Sequence, residues 1–201
     1  KSLAPTGLTN LVFETLMERS LDEPSSSYGH IAYKYILAEN GLSVTYYIKN
    51  NAKFSNGDDI TANDVKFSFE TLISKDAHPQ YRIYWADIKA VEIVGRKSIK
   101  FTFRKKNPEL HMTIGDIPIF SKKWFENKKF SNSILDNPIA SGPYIVDDYQ
   151  TGKYIHYKRN PNYWGYNEPT RSGMFNFDKI IFKYYKDMTV ALEAFKAGEY
   201  D

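Results

Sequence analysis

The chain has 201 residues, of which 42% are hydrophobic and 25% charged, with a formal net charge of +3. Such a composition belongs to one large or two small folded domains and excludes a disordered, collagenous or coiled-coil chain, and no apolar run approaches the ~18–20 residues of a membrane-spanning helix. The charges are mixed and the lysine pairs Lys105-Lys106, Lys122-Lys123 and Lys128-Lys129 read as solvated surface, so nucleic acid is not expected as a partner.

There is no cysteine, which excludes disulfides and thiolate metal sites and leaves both cytosol and periplasm open. The start, Lys1-Ser-Leu-Ala-Pro-Thr-Gly7, has neither an initiator methionine nor an apolar signal core, and reads as a processed end or the interior of a longer protein. Aromatics reach 16% and include 16 tyrosines, whose apolar ring and hydroxyl suit half-buried sheet as well as recognition of mixed polar and apolar ligands.

In chain order, Asn10 can cap a short helix in which Leu11, Val12, Leu16 and Arg19 fall at helical spacing, ahead of the loop Asp22-Glu-Pro-Ser-Ser-Ser. Ser43 to Lys49 alternates Val44, Tyr46 and Ile48 against Thr45, Tyr47 and Lys49, the period of a half-buried strand, and Ser55-Asn-Gly-Asp58 follows as a turn. Thr61 and Asp64 form a capping-box pattern before a helix with the stripe Val65, Phe69 and Leu72. Val91–Val94 and Ile99–Phe103 flank Gly95-Arg-Lys-Ser as a hairpin with Ile99, Phe101 and Phe103 on one face.

Ser121 caps a short helix through Trp124 and Phe125, and the polar stretch to Asn137-Pro138 reads as a connection. A second hairpin pairs Tyr144–Tyr149 with Tyr154–Arg159. Ile180–Tyr184 is a strand, and Asp187 or Thr189 opens a helix that turns Val190, Leu192 and Phe195 inward and stops at Gly198. The chain ends where a further strand would begin, so it looks cut. Helices, strands and hairpins in this order predict an α/β or α+β fold with a mixed sheet. A sheet that ordinarily continues beyond the chain would carry an unpaired edge, and pairing between copies through that edge is expected.

Catalytic signals are absent. His30, His78, His111 and His156 are scattered without zinc-ligand spacing, the 11 glycines form no phosphate-cradling loop, and Ser141-Gly-Pro is no nucleophile elbow. The adjacent pairs Asp58-Asp59 and Asp147-Asp148 read as turn formers or solvated groups. These absences favour binding over catalysis, with no metal and no cofactor. The remaining local signal is Tyr81-Arg82-Ile83-Tyr84-Trp85, which either stacks on a ligand and pairs with its carboxylate or anchors the segment to the core through Tyr81 and Trp85 at i and i+4.

An ordered set of segments resembles one family. Leu11-Val-Phe-Glu-Thr-Leu-Met17 is similar to an early L-Y-E-T-L helix, and Lys53-Phe-Ser-Asn-Gly-Asp-Asp-Ile-Thr-Ala-Asn-Asp-Val-Lys-Phe-Ser-Phe69 to the segment F-x-D-G-x-x-x-T-A-x-D-V-x-F-S, with Asn56 in place of Asp. Val91 to Phe103 resembles the hairpin that follows; Ser141-Gly-Pro-Tyr resembles G-T-G-P-Y, and Lys158-Arg-Asn-Pro-Asn-Tyr-Trp-Gly165 resembles R-N-P-x-Y-W; Phe177-Asp-Lys-Ile and Ala191 to Asp201 complete the set. Together they resemble the periplasmic peptide/nickel-type solute-binding proteins of ATP-binding-cassette (ABC) importers, and are most similar to the YejA-like branch associated with oligopeptide and microcin C uptake.

That resemblance implies the first lobe of a two-lobe periplasmic-binding-protein fold: residues 1–110 as a peripheral subdomain, 111–201 as part of the core sheet subdomain, and the second lobe absent. It implies a secreted periplasmic protein that captures peptides or peptide-like compounds and delivers them to a membrane permease without catalysis. The ligand-binding positions it implies are Tyr81 and Tyr84, with the loop at Gly115 and Asp116; the local aromatic signal adds Arg82 and Trp85. A surface interaction module and a hydrolase are the alternatives.

Overall fold

The alternation at Ser43–Ile48 builds the middle of the largest sheet in the computed structural model, which describes residues 5–128, 130 and 136–201. Strands β3 (Ala32–Leu37), β4 (Ser43–Ile48), β5 (Ile88–Gly95) and β6 (Ser98–Phe103) lie in the order β3-β4-β6-β5. Val44, Tyr46, Ile48, Ile99, Phe101 and Phe103 form its buried face. Helix α1 (Ala62–Leu72) covers that face with Val65, Phe69 and Leu72, and the Phe69 and Phe101 rings meet edge-on at 5.7 Å. β3 escapes a sequence reading because all of it after Ala32 is exposed, so no apolar alternation marks it.

The second hairpin forms β7 (Tyr144–Gln150) and β8 (Tyr154–Arg159), turned at Gly152 with φ 75°, and β9 (Lys179–Lys183) joins β8 to make a sheet of three strands. A two-stranded ribbon pairs β1 (Met17–Arg19) with β2 (Ser27–Gly29). All strand pairs among the described residues are antiparallel, so the α+β alternative holds and the expected mixed sheet is not seen within them. One apolar core runs from Leu8 to Tyr157 and joins the two larger sheets.

Two local expectations are corrected. The helix expected from Asn10 is a single π-helical turn, Leu8–Val12, entered through Gly7 at φ 82°. Beyond it the chain extends, because tertiary partners take its backbone: Leu16 O accepts from His30 N and Ala32 N, Thr15 bridges Pro118, and Arg19 stands in β1. Helix α5 (Met188–Lys196) is capped by Asp187 and stopped at Gly198 as expected, yet Val190, Leu192 and Phe195 are about half exposed and only Ala194 of its residues is buried. The stretch between Phe125 and Asn137 expected as a connection lies partly outside the described residues, as do Lys129 and the first four residues.

Three short helices complete the fold: α2 (Pro79–Tyr84), α3 (Leu110–Gly115) and α4 (Lys122–Phe125). The start of α1 shows why Thr-Ala-x-Asp-Val-x-Phe-Ser is a useful pattern. Asp64 Oδ2 accepts from Thr61 N (2.9 Å), while its Oδ1 accepts from Lys122 N (3.0 Å) at the head of α4. One turn on, Ser68 Oγ accepts from Phe120 N (2.8 Å) and donates to Asp64 O (2.7 Å). The cap of one helix therefore also fixes the segment that carries Phe120 and Phe125 into the core.

Both groups are buried, so deleting either leaves backbone donors without partners. Ser68→Ala is expected to destabilise the fold by about 1–3 kcal/mol, read as a lower urea midpoint at unchanged slope.

Candidate functional site

Glu14 sits at the end of the extended segment before β1, only 3% exposed, in a cluster drawn from distant parts of the chain. Its Oε1 accepts from the Tyr163 hydroxyl (2.6 Å), and its Oε2 pairs with His30 Nε2 (2.5 Å) and Arg171 Nη2 (2.7 Å). Arg171 Nη1 also pairs with Glu18. Burial would raise the Glu14 carboxyl, but the His30 hydrogen bond and the charges of His30 and Arg171 outweigh it and hold the group below its ordinary value. Glu18 is raised, because there burial exceeds the attraction of Arg171.

β1 has two faces, and they carry different chemistry. Glu18 points into the cluster; Met17 and Arg19 point the other way. Met17 packs on Gly115, where a Cβ would lie 2.9 Å from the Met17 sulfur. Arg19 donates from Nε (2.9 Å) and Nη2 (2.6 Å) to the same oxygen of Asp116. The Asp116 bond and charge raise the guanidinium further, with a smaller contribution from Tyr84 nearby.

The residues expected from sequence thus divide. Asp116, distant in sequence, pairs with Arg19, and Tyr84 (47% exposed) lies near the same guanidinium. Trp85 is buried, donates weakly to Thr113 O (3.4 Å) and stacks on Tyr81 at 5.5 Å, which is the core-anchor reading of the aromatic segment. Arg82 donates to Ser74 O (2.5 Å), away from Asp116, and Gly115 is a close-packing position. Arg19 was missed because its position was assigned to a helix, and nothing local to Met17-Glu-Arg-Ser20 marks a strand.

Three clefts lie elsewhere: about 430 Å³ beside Tyr33 and Tyr47, about 670 Å³ around Asp58, Asp59 and Arg96, and about 470 Å³ by Arg159 and Asp178. Their carboxylates are committed to neighbours, Asp59 to Lys53 and Arg96, Asp58 to Lys123 and Asp178 to Arg159. Arg19, Tyr84 and Asp116 line none of these three. No cluster of His, Asp and Glu among the described residues is arranged to hold a metal ion, and no helix there is long and apolar enough to cross a membrane.

Comparison with known proteins matches residues 28–201 to the family model "Bacterial extracellular solute-binding proteins, family 5 Middle". The chain belongs to the family 5 solute-binding proteins. It is 39% identical over 194 residues to a binding protein of Brucella melitensis, covering 96% of this chain and 31% of that one. It is 34% identical over 204 residues to the "Probable peptide-binding protein YejA" of Agrobacterium fabrum, covering 98% and 33%. The crystal structure of NikZ from Campylobacter jejuni in complex with Ni(L-His) superposes with a TM-score of 0.79 at 27% identity, over 96% of this chain and 37% of NikZ. The chain thus spans about a third of the length of the curated relatives it matches, and its α+β architecture is that of part of the family 5 fold.

The family motifs converge on the Glu14 cluster. Glu14 comes from Leu11–Met17; Tyr163 and Trp164 from Asn-Pro-Asn-Tyr-Trp; Ser141 and Gly142 lie between them. Glu14 N donates to Ser141 Oγ (3.2 Å), Gly142 N to Val12 O (2.8 Å), and Trp164 Nε1 to Ser141 O (3.0 Å). At Gly142 an added Cβ would lie 2.5 Å from Leu11 O, so only glycine fits this close approach.

Because the Glu14 carboxyl is held below its unfolded value, its contribution to stability is present above about pH 4.5 and is lost as pH falls through the lower folded value. Arg171→Met, which leaves Glu14 and Glu18 without their guanidinium, is expected to cost about 3–5 kcal/mol at pH 7 and less at pH 3, measured by urea denaturation at both pH values. An equal loss at both would remove the charge-based account.

Proposed function

We propose that this chain forms the ligand-facing first lobe of a periplasmic peptide receptor, which captures oligopeptides or peptide-like compounds and presents them to the membrane permease of an ABC importer. The observation that carries the reading is the family match across residues 28–201 together with similarity to a relative described as peptide-binding. The face at Arg19, Tyr84 and Asp116 supports it with a cation, a carboxylate and an exposed aromatic ring. Within this reading residues 1–110 make the peripheral subdomain and 111–201 part of the core sheet subdomain, in keeping with a four-stranded sheet drawn from 32–103 and a three-stranded one from 144–183. The protein acts by binding, with no catalytic step; microcin C-like peptides are a narrower cargo within the same class.

Mass spectrometry of ligand co-purifying with the complete gene product tests the cargo, and peptide turnover by the pure protein would overturn the binding role. A one-sided face leaves most of a ligand wet, so this 201-residue chain alone is expected to bind peptide no tighter than about millimolar. In the complete gene product Tyr84→Ala is expected to weaken binding roughly 3–30-fold. Calorimetry checks both, and micromolar binding by this chain alone would place the whole site within it.

A further inference from the structure

We infer that Arg19 is a carboxylate-binding residue that sets the specificity of this face, an assignment that rests on the peptide-receptor reading. A guanidinium has five N–H donors in a planar fork. Asp116 engages two of them through a single oxygen, so donors remain. Asp116 occupies the Nε–Nη2 edge. The Nη1–Nη2 edge, which can also match the two oxygens of a carboxylate, is not the edge it uses. The side chain is 68% exposed while its partner Asp116 is 26% exposed, so the cation projects from the face and its orienting carboxylate lies beneath.

The strand behind it supplies rigidity that an exposed arginine ordinarily lacks. β1 has three residues, and each is tied: Met17 packs against Gly115, Glu18 pairs with Arg171 in the buried cluster, and Arg19 is held by Asp116. The ribbon register fixes Met17 opposite Gly29 and Arg19 opposite Ser27. A guanidinium held on one edge loses less conformational freedom when a second carboxylate arrives. The exposed Tyr84 ring at its side offers an apolar wall to the residue that bears the carboxylate. Asp116 offsets the Arg19 charge, which disfavours capture of free anions and leaves recognition to paired hydrogen bonds made under a covering ligand. A surface ion pair serving stability alone would contribute little and would show no preference among ligands.

The ligand carboxylate has two sources, the peptide C-terminus and an acidic side chain, and three randomised tripeptide libraries separate them: neutral side chains as free acids, neutral side chains as C-terminal amides, and glutamate-containing amides. Each is mixed with the complete gene product, as wild type, Arg19→Gln and Arg19→Lys, and retained peptide is counted by native mass spectrometry after circular dichroism confirms folding. The wild type is expected to retain free acids over neutral amides. Arg19→Gln should lose that preference by roughly 10–100-fold, with partial recovery in Arg19→Lys. Retention of glutamate amides as well as free acids assigns the site to either carboxylate; retention of free acids alone assigns it to the C-terminus. A wild type indifferent to amidation, or Arg19→Gln that keeps the preference, overturns the role of Arg19 while leaving the receptor reading intact. A wild type that retains none of the three libraries overturns the receptor reading and this inference with it.

Discussion

Burial of one carboxylate is the constraint on which the molecule depends. An ionised Glu14 removed from water is costly unless its oxygens are fully engaged, and the groups that engage them come from His30, Tyr163 and Arg171. Satisfying Glu14 therefore brings the segment before β1 against the loop that follows β8. Lys49, at the end of β4, reaches the same loop through Glu168, so the two larger sheets are tied through it as well as through the apolar core.

This arrangement explains how short elements can carry an exact surface. β1 spans three residues and α2 and α3 six each, lengths that do not hold their shape in isolation. They are fixed from behind: Glu18 by Arg171, Gly115 by Met17, and Trp85 by Phe69 and Tyr81. These contacts lie on the inner side of each element, while the Arg19–Asp116 pair and the Tyr84 ring face outward.

The candidate site was legible in part. Tyr84 and Asp116 were identifiable at matching positions in a resembling family, and Asp116 is bonded to Arg19, which Tyr84 lies near. Trp85 and Gly115 were named with them and are scaffold, since a tryptophan at i+4 from a tyrosine has the same spacing whether it faces a ligand or a core. Arg19 was not legible. Its side chain matters because Met17-Glu-Arg forms a strand, and that strand exists only through pairing with Ser27–Gly29 and hydrogen bonds from His30 and Ala32 to Leu16.

The sequence by itself determined the elements whose partners are local. The hairpins at 91–103 and 144–159, the Thr61–Asp64 start of α1, the Asn56-Gly57 turn and the Asp187 cap all follow from side chains within a few residues of each other, where periodicity and capping chemistry decide. The order of its motifs also determined the family. Tertiary structure alone decided the π-turn in place of a longer helix, the exposed strand β3, the outward apolar face of α5 and the position of Arg19. At the π-turn and at Arg19 the backbone or side chain answers to groups tens of residues away, and burial of Glu14, Asp64 and Ser68 can be satisfied only when such distant groups arrive together.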